Sequence, residues 1–223
     1  MRMLLVAVGT ALLAGATQVH AADVGTLPPT TGGYFSIAGG WNHINNGNAT
    51  APNQTPSAIT FNFNDGLAAS GTAGYHFGAF RSELELSYRA NGLKSFNTAG
   101  LPVSGHQDDL SLMANALFDF STGTQFTPYI GVGVGATMLW WREFVNSAGT
   151  QLVRDTGGTK LAFQAIFGLS YAFSSEWQAT ADVRYKGSAG HTFTGLTSTT
   201  NDFTGLKIRD VTAMVGVRYN FGR

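Results

Sequence analysis

The chain has 223 residues, 43% of them hydrophobic and only 12% charged, about half the charge of an average soluble domain. Lys+Arg 13 and Asp+Glu 13 cancel to a net charge of +0, which leaves no basic field for nucleic acid and no acidic field for cationic partners. Cysteine is absent, so disulfide staples, thiolate metal ligands and a cysteine nucleophile are excluded.

Arg2, an apolar run over 4–16 and the small-residue motif Val19-His20-Ala21 predict a secretory signal over residues 1–21. One mature domain is expected over 22–223. The apolar run is too short for a spanning helix and no longer one follows, so a membrane crossing would have to use strands.

After a Pro-containing entry, strict alternation predicts a first strand at 34–41, with Phe35, Ile37 and Trp41 on one side. The Asn/Thr/Pro-rich stretch 42–65 reads as a loop. A second strand (67–77) reaches Gly78-Ala79, a two-residue hairpin turn, and a third (80–89) follows. The third alternates Ser82, Leu84, Leu86 and Tyr88 with Arg81, Glu83, Glu85, Ser87 and Arg89. A loop is expected at 90–106, a strand at 110–120, a short turn at 121–125 and a strand at 127–141. Then come a loop (142–158), a strand (160–173), a tight turn at Ser174–Glu176, a strand (177–186), a loop (187–205) and a closing strand (210–221).

These are eight strands whose connections alternate long and short, the pattern of an all-β, eight-stranded, antiparallel up-and-down transmembrane β-barrel. The apolar side of each strand would face lipid and the charged side the lumen, with both termini at the short-turn, periplasmic end. A soluble eight-stranded barrel such as a lipocalin would reverse the faces and would need a charged exterior. The first, second and fifth strands supply almost none.

The segments GYFSIAGGW, GYHFGAFRSELELSYR, SLMANALFDF, PYIGVGVGA, FQAIFGLSYAF and GVRYNF together resemble the small opacity-type, OmpA-like outer-membrane barrels of Gram-negative bacteria. The resemblance implies residence in the outer membrane and insertion by the barrel-assembly machinery. Gly216, Tyr219 and Phe221 stand at the positions of that family's C-terminal assembly signal. Two features depart from it: Gly222-Arg223 follow the usually final aromatic, and Met214 stands where a polar residue is usual. The chain ends soon after Phe221, so OmpA's peptidoglycan-binding domain is not expected.

Five groups of residues are candidate sites. Arg81, Glu83, Glu85, Asp119, Asp182, Arg184 and Arg218, with Arg89 and Lys186, would share the lumen. An interior this narrow makes a cross-lumen ion-pair network the expected arrangement. Its functional variant is a charge gate in a narrow pore, led by Glu83, Glu85, Arg184 and Arg218. Gly131, Gly133 and Gly135 have period two inside a strand, unlike a phosphate-binding loop, and make room for large lumen residues such as Tyr129 or Met113. His106 with Asp108 and Asp109, joined by His43 and His191, is the densest titratable group, but it carries no recognisable hydrolase motif and reads as a polar rim. Arg142, Lys207 and Arg209 fall on the lipid side at the outer strand ends, where lipopolysaccharide phosphates lie. Trp41, Trp140 and Trp141 would form one aromatic girdle. Phe77, Phe80, Phe120, Tyr171, Phe173, Trp177, Tyr219 and Phe221 would form the other.

The expected role is structural or surface-interacting, with four extracellular loops offered to an extracellular ligand and with membrane lipid and lipopolysaccharide as surroundings. A narrow channel for ions or small solutes is the alternative, followed by a lipid-modifying enzyme. No cofactor, metal, catalytic residue or nucleic-acid partner is expected.

Overall fold

Strands can cross a bilayer only if every backbone donor and acceptor is paired within the sheet, which requires closure. A computed structural model of the chain describes residues 31–50, 58–96, 101–146, 156–193 and 203–221. The signal expected at 1–21, the following residues 22–30 and Gly222-Arg223 lie outside the described residues.

The strands are β1 Thr31–Thr50, β2 Ala58–Phe77, β3 Phe80–Phe96, β4 Leu101–Asp119 and β5 Phe126–Asn146, then β6 Thr156–Ala172, β7 Trp177–Ser188, β8 His191–Phe193 and β9 Phe203–Asn220. Neighbours in sequence pair antiparallel from β1 to β7, β7 pairs β9, and β9 returns to β1 with Tyr34 opposite Asn220 and Ala38 opposite Gly216. The three-residue β8 pairs only with the far end of β9, continuing the line of β7 beyond Ala189-Gly190. The result is an eight-stranded closed antiparallel barrel. The closing seam is tight: a Cβ on Gly40 would sit 1.9 Å from the Ala213 carbonyl oxygen, and one on Gly216 2.4 Å from that of Ile37. At the turn end, Gly78 adopts a φ of 78°, which the two-residue hairpin needs and other residues resist.

The expected faces are correct through the middle of the barrel. Ile37, Leu67 and Val132 are 68%, 75% and 65% exposed, whereas Arg81, Glu85, Ser111 and Thr212 are buried. A soluble barrel would show the opposite, so the exposed apolar band is a lipid-facing surface. All eight aromatics expected at the turn end are exposed there, with Trp177–Tyr219 rings 4.9 Å apart and Tyr219–Phe221 5.3 Å apart.

The expected loops are largely wrong. Most of 42–65 and of 90–106 is strand, as are parts of 142–158 and 187–205; β1, β2 and β5 have 20, 20 and 21 residues. A tilted strand needs only about 9–11 to cross the hydrocarbon. Beyond the apolar band the side-chain pattern inverts. Ile44, Phe61, Phe63, Leu93, Leu139, Leu206 and Ile208 are buried, while Asn45, Asn64, Lys94, Lys207 and Arg209 are exposed. There the barrel wall leaves the hydrocarbon for head groups and water, so it is built like a soluble barrel, with its apolar side inward.

Candidate functional site

The lumen is filled in three storeys. At the turn end Arg81 lies at the centre, its Nη1 2.8 Å from Glu83 Oε1 and its Nε 2.9 Å from Asp119. The Tyr34 hydroxyl donates to the same Glu83 oxygen at 2.5 Å, and the Tyr129 hydroxyl donates to Asp182 at 3.1 Å. These two tyrosines flank two arginines. Arg81 lies 4.7 Å from the Tyr129 ring centre and Arg218 4.9 Å from that of Tyr34, within cation–π range. Arg218 donates to Gln178 at 2.9 Å and has no carboxylate within 4 Å among the described residues. Each tyrosine is seated over a glycine on the next strand. A Cβ on Gly74 would lie 2.2 Å from Tyr34 Cζ, and one on Gly168 2.2 Å from Tyr129 Cζ.

One step further along the axis, Arg184 pairs with Asp182 at 2.6 Å and with Glu85 at 2.7 Å. Glu85 also accepts from Asn115 at 2.9 Å and from Gln164 at 3.1 Å. Gly131, Gly133 and Gly135 do make room inside the lumen: added Cβ atoms would meet Leu117, Asn115 with Gln164, and Met113. The space for Tyr129 comes instead from Gly168 on β6.

The second storey is an ionic square the sequence reading did not assemble. Lys186 lies 2.6 Å from Asp109 and 3.6 Å from Asp210, and Arg89 lies 3.5 Å from each. Ser111 and Thr137 hydroxyls also donate to Asp109, at 2.6 and 2.5 Å. Asp109 shares the parity of Ser111 and Met113, and that signal alone could have placed it in the lumen. Leaving either sign unpaired here would be costly.

The third storey is the apolar cap. Trp141, expected in the lipid-side girdle with Trp140, points inward and is 1% exposed. Its ring reaches across to β2, 5.6 Å from Phe61 and 5.9 Å from Phe63. A lumen cavity of about 10 Å³, bordered by Glu83, Tyr129, Asp182, Arg184 and Arg218, has room for about one water.

The titratable group around His106 does not assemble. His106 is exposed on the outer face while Asp109 points into the ionic square, because alternate residues of a strand face opposite sides. His43 is outside, 2.7 Å from Asp65 and stacked on Trp41, and His191 is buried. Among the described residues no group of three or more His, Asp or Glu could hold a metal ion. Arg142, Lys207 and Arg209 are exposed on the outer face. They differ in one respect: Arg142 pairs with the buried Asp108 and donates to the Tyr88 hydroxyl at 2.7 Å, whereas neither Lys207 nor Arg209 has a carboxylate partner among the described residues.

Known proteins carry the same architecture. An outer membrane protein of Gluconacetobacter diazotrophicus is 29% identical over 203 residues, covering 81% of this chain and 53% of its own, so the chain spans about half the length of that relative. Protein opa of Haemophilus influenzae is 26% identical over 110 residues, 49% of this chain and 78% of its own. The crystal structure of outer membrane protein OprG from Pseudomonas aeruginosa superposes with a TM-score of 0.59 at 17% identity, covering 89% of this chain and 100% of that one. That likeness shows the fold alone. The pattern of the surface antigen family matches residues 105–221, more than half of the chain and all of β5 to β9. The protein is therefore an outer-membrane β-barrel and belongs to the surface antigen family.

Proposed function

We propose that this protein is a non-enzymatic, non-conducting scaffold of the outer membrane whose activity resides at its long-connection end. The turn end, where Thr31 and Phe221 lie, faces the periplasm in this reading. The opposite end, where Thr50, Phe96, Asn146 and Phe203 lie, faces outward and offers the surface for an extracellular partner. Gly216, Tyr219 and Phe221 present the signal read by the assembly machinery. The observation that carries the proposal is the filled lumen: among the described residues two ionic storeys and an apolar cap occupy it, and the cavity beside Arg218 measures about 10 Å³. A narrow channel would need a continuous polar path, and Trp141 with Phe61 and Phe63 interrupts it.

Two experiments test this reading. Folded protein in a planar bilayer is expected to show no steady openings, as are the variants Glu83→Ala and Arg218→Ala. Steady openings altered by either substitution would favour the charge-gated pore. Orientation is tested separately, and the absence of cysteine removes any background. On intact cells an impermeant maleimide should label a Lys94→Cys variant and leave Thr122→Cys unlabelled; the reverse would invert the barrel.

A further inference from the structure

The lipid side of β9 carries an arrangement that the filled lumen does not use. Moving away from the membrane centre, its outward residues are Ala213, Val211, Arg209 and Lys207. Ala213 lies opposite Trp41 on β1, and Val211 lies opposite His43 on β1 and Tyr185 on β7. Trp41 and Tyr185 are 43% and 45% exposed and mark the interfacial level, where amphipathic rings settle. Arg209 stands two residues further out, about 7 Å along the strand, and Lys207 about 7 Å beyond that. Both cations therefore lie just beyond the interfacial level, outside the apolar band.

The neighbours of Arg209 are Asn45 and Gly187, so neither flank supplies a carboxylate or a bulky cover. On β2, beyond β1, Asp65 is engaged by His43 at 2.7 Å, and the His43 ring lies nearly parallel to Trp41, 5.7 Å away. Two exposed cations with no carboxylate partner among the described residues thus stand beyond a stacked imidazole–indole surface on the outer face of the wall. An arginine fork can bind a phosphate through two hydrogen bonds, a lysine adds a mobile point charge, and flat rings take the apolar face of a sugar. Arg142 has the same outward position on β5 but is neutralised by Asp108 and held by Tyr88.

We propose that Lys207 and Arg209, with His43 and Trp41 beneath them, bind a phosphate of an outer-leaflet glycolipid of the lipopolysaccharide type at the β9–β1 edge. Arg142 takes no part. The proposal rests on the long-connection end facing outward, as argued above. The test uses barrel purified from outer membranes, with lipopolysaccharide retained per folded protein as the readout and the electrophoretic heat shift as the check on folding. The double variant Lys207→Gln/Arg209→Gln should retain at least about fivefold less than wild type, and Arg142→Gln should stay within about twofold. In the second arm, wild-type protein is given purified lipopolysaccharide or its dephosphorylated form, and binding should fall severalfold without the phosphates. Equal retention by the double variant, or equal binding of the dephosphorylated form, overturns the proposal. If the double variant does not fold, the second arm decides by itself. Failure of the orientation would appear separately, as inverted labelling of Lys94→Cys and Thr122→Cys.

Discussion

Gly168→Ala adds a single methyl group at a point where the lumen has little room for one. The new Cβ would lie 2.2 Å from Tyr129 Cζ, and the ring cannot move away freely. Arg81 lies 4.7 Å from its centre and its hydroxyl is bound to Asp182 at 3.1 Å. Overpacking of this kind costs about 1–3 kcal/mol. Displacing the hydroxyl from a charged acceptor adds about 1.5–3 kcal/mol, so the substitution should cost roughly 3–6 kcal/mol in total. In a Tyr129→Ala background the ring that the methyl group would strike is gone and the same change should cost less than about 1 kcal/mol, giving a coupling of at least about 2 kcal/mol. Urea unfolding of the refolded barrel in phospholipid vesicles, followed by tryptophan fluorescence and electrophoretic heat shift, measures all four corners of the cycle. A coupling below about 0.5 kcal/mol would mean that Gly168 is not the seat of Tyr129 and would refute the reasoning.

Removing one of the two cations from the ionic square by Lys186→Met leaves Asp109 and Asp210 sharing Arg89 and should cost about 3–5 kcal/mol in the same unfolding assay. Adding Asp109→Asn should recover part of that loss. Trp141→Ala empties the centre of the apolar cap and should cost about 3–5 kcal/mol, yet the bilayer should stay silent because both ionic storeys remain below. Steady conductance in that variant would show that the cap alone closes the barrel. His106→Ala should change stability by less than about 0.5 kcal/mol, while Asp109→Ala, three residues on and on the other face, should be among the most damaging single changes; similar costs would place the two on one side.

Within the apolar band, the sequence by itself determined the barrel. Leu84 and Leu86 alternating with Glu83 and Glu85 allow only one lipid side, because a charge facing hydrocarbon is far costlier than one paired in the lumen. The short turns at Gly78-Ala79 and Ser174–Glu176 were legible for the same local reason: turn chemistry needs no distant partner. What tertiary structure decided lies where the surrounding solvent changes. Beyond the hydrocarbon the outer wall meets head groups and water, so the pattern inverts at Ile44, Phe61 and Leu206, and a reading that expects one unchanging parity takes strand for loop. The partners inside the lumen were likewise beyond a linear reading. Parity puts Asp109, Lys186, Arg89 and Asp210 on one face of their strands. Only barrel closure and register bring four strands together so that Lys186 reaches Asp109 at 2.6 Å and Trp141 crosses to Phe61 and Phe63.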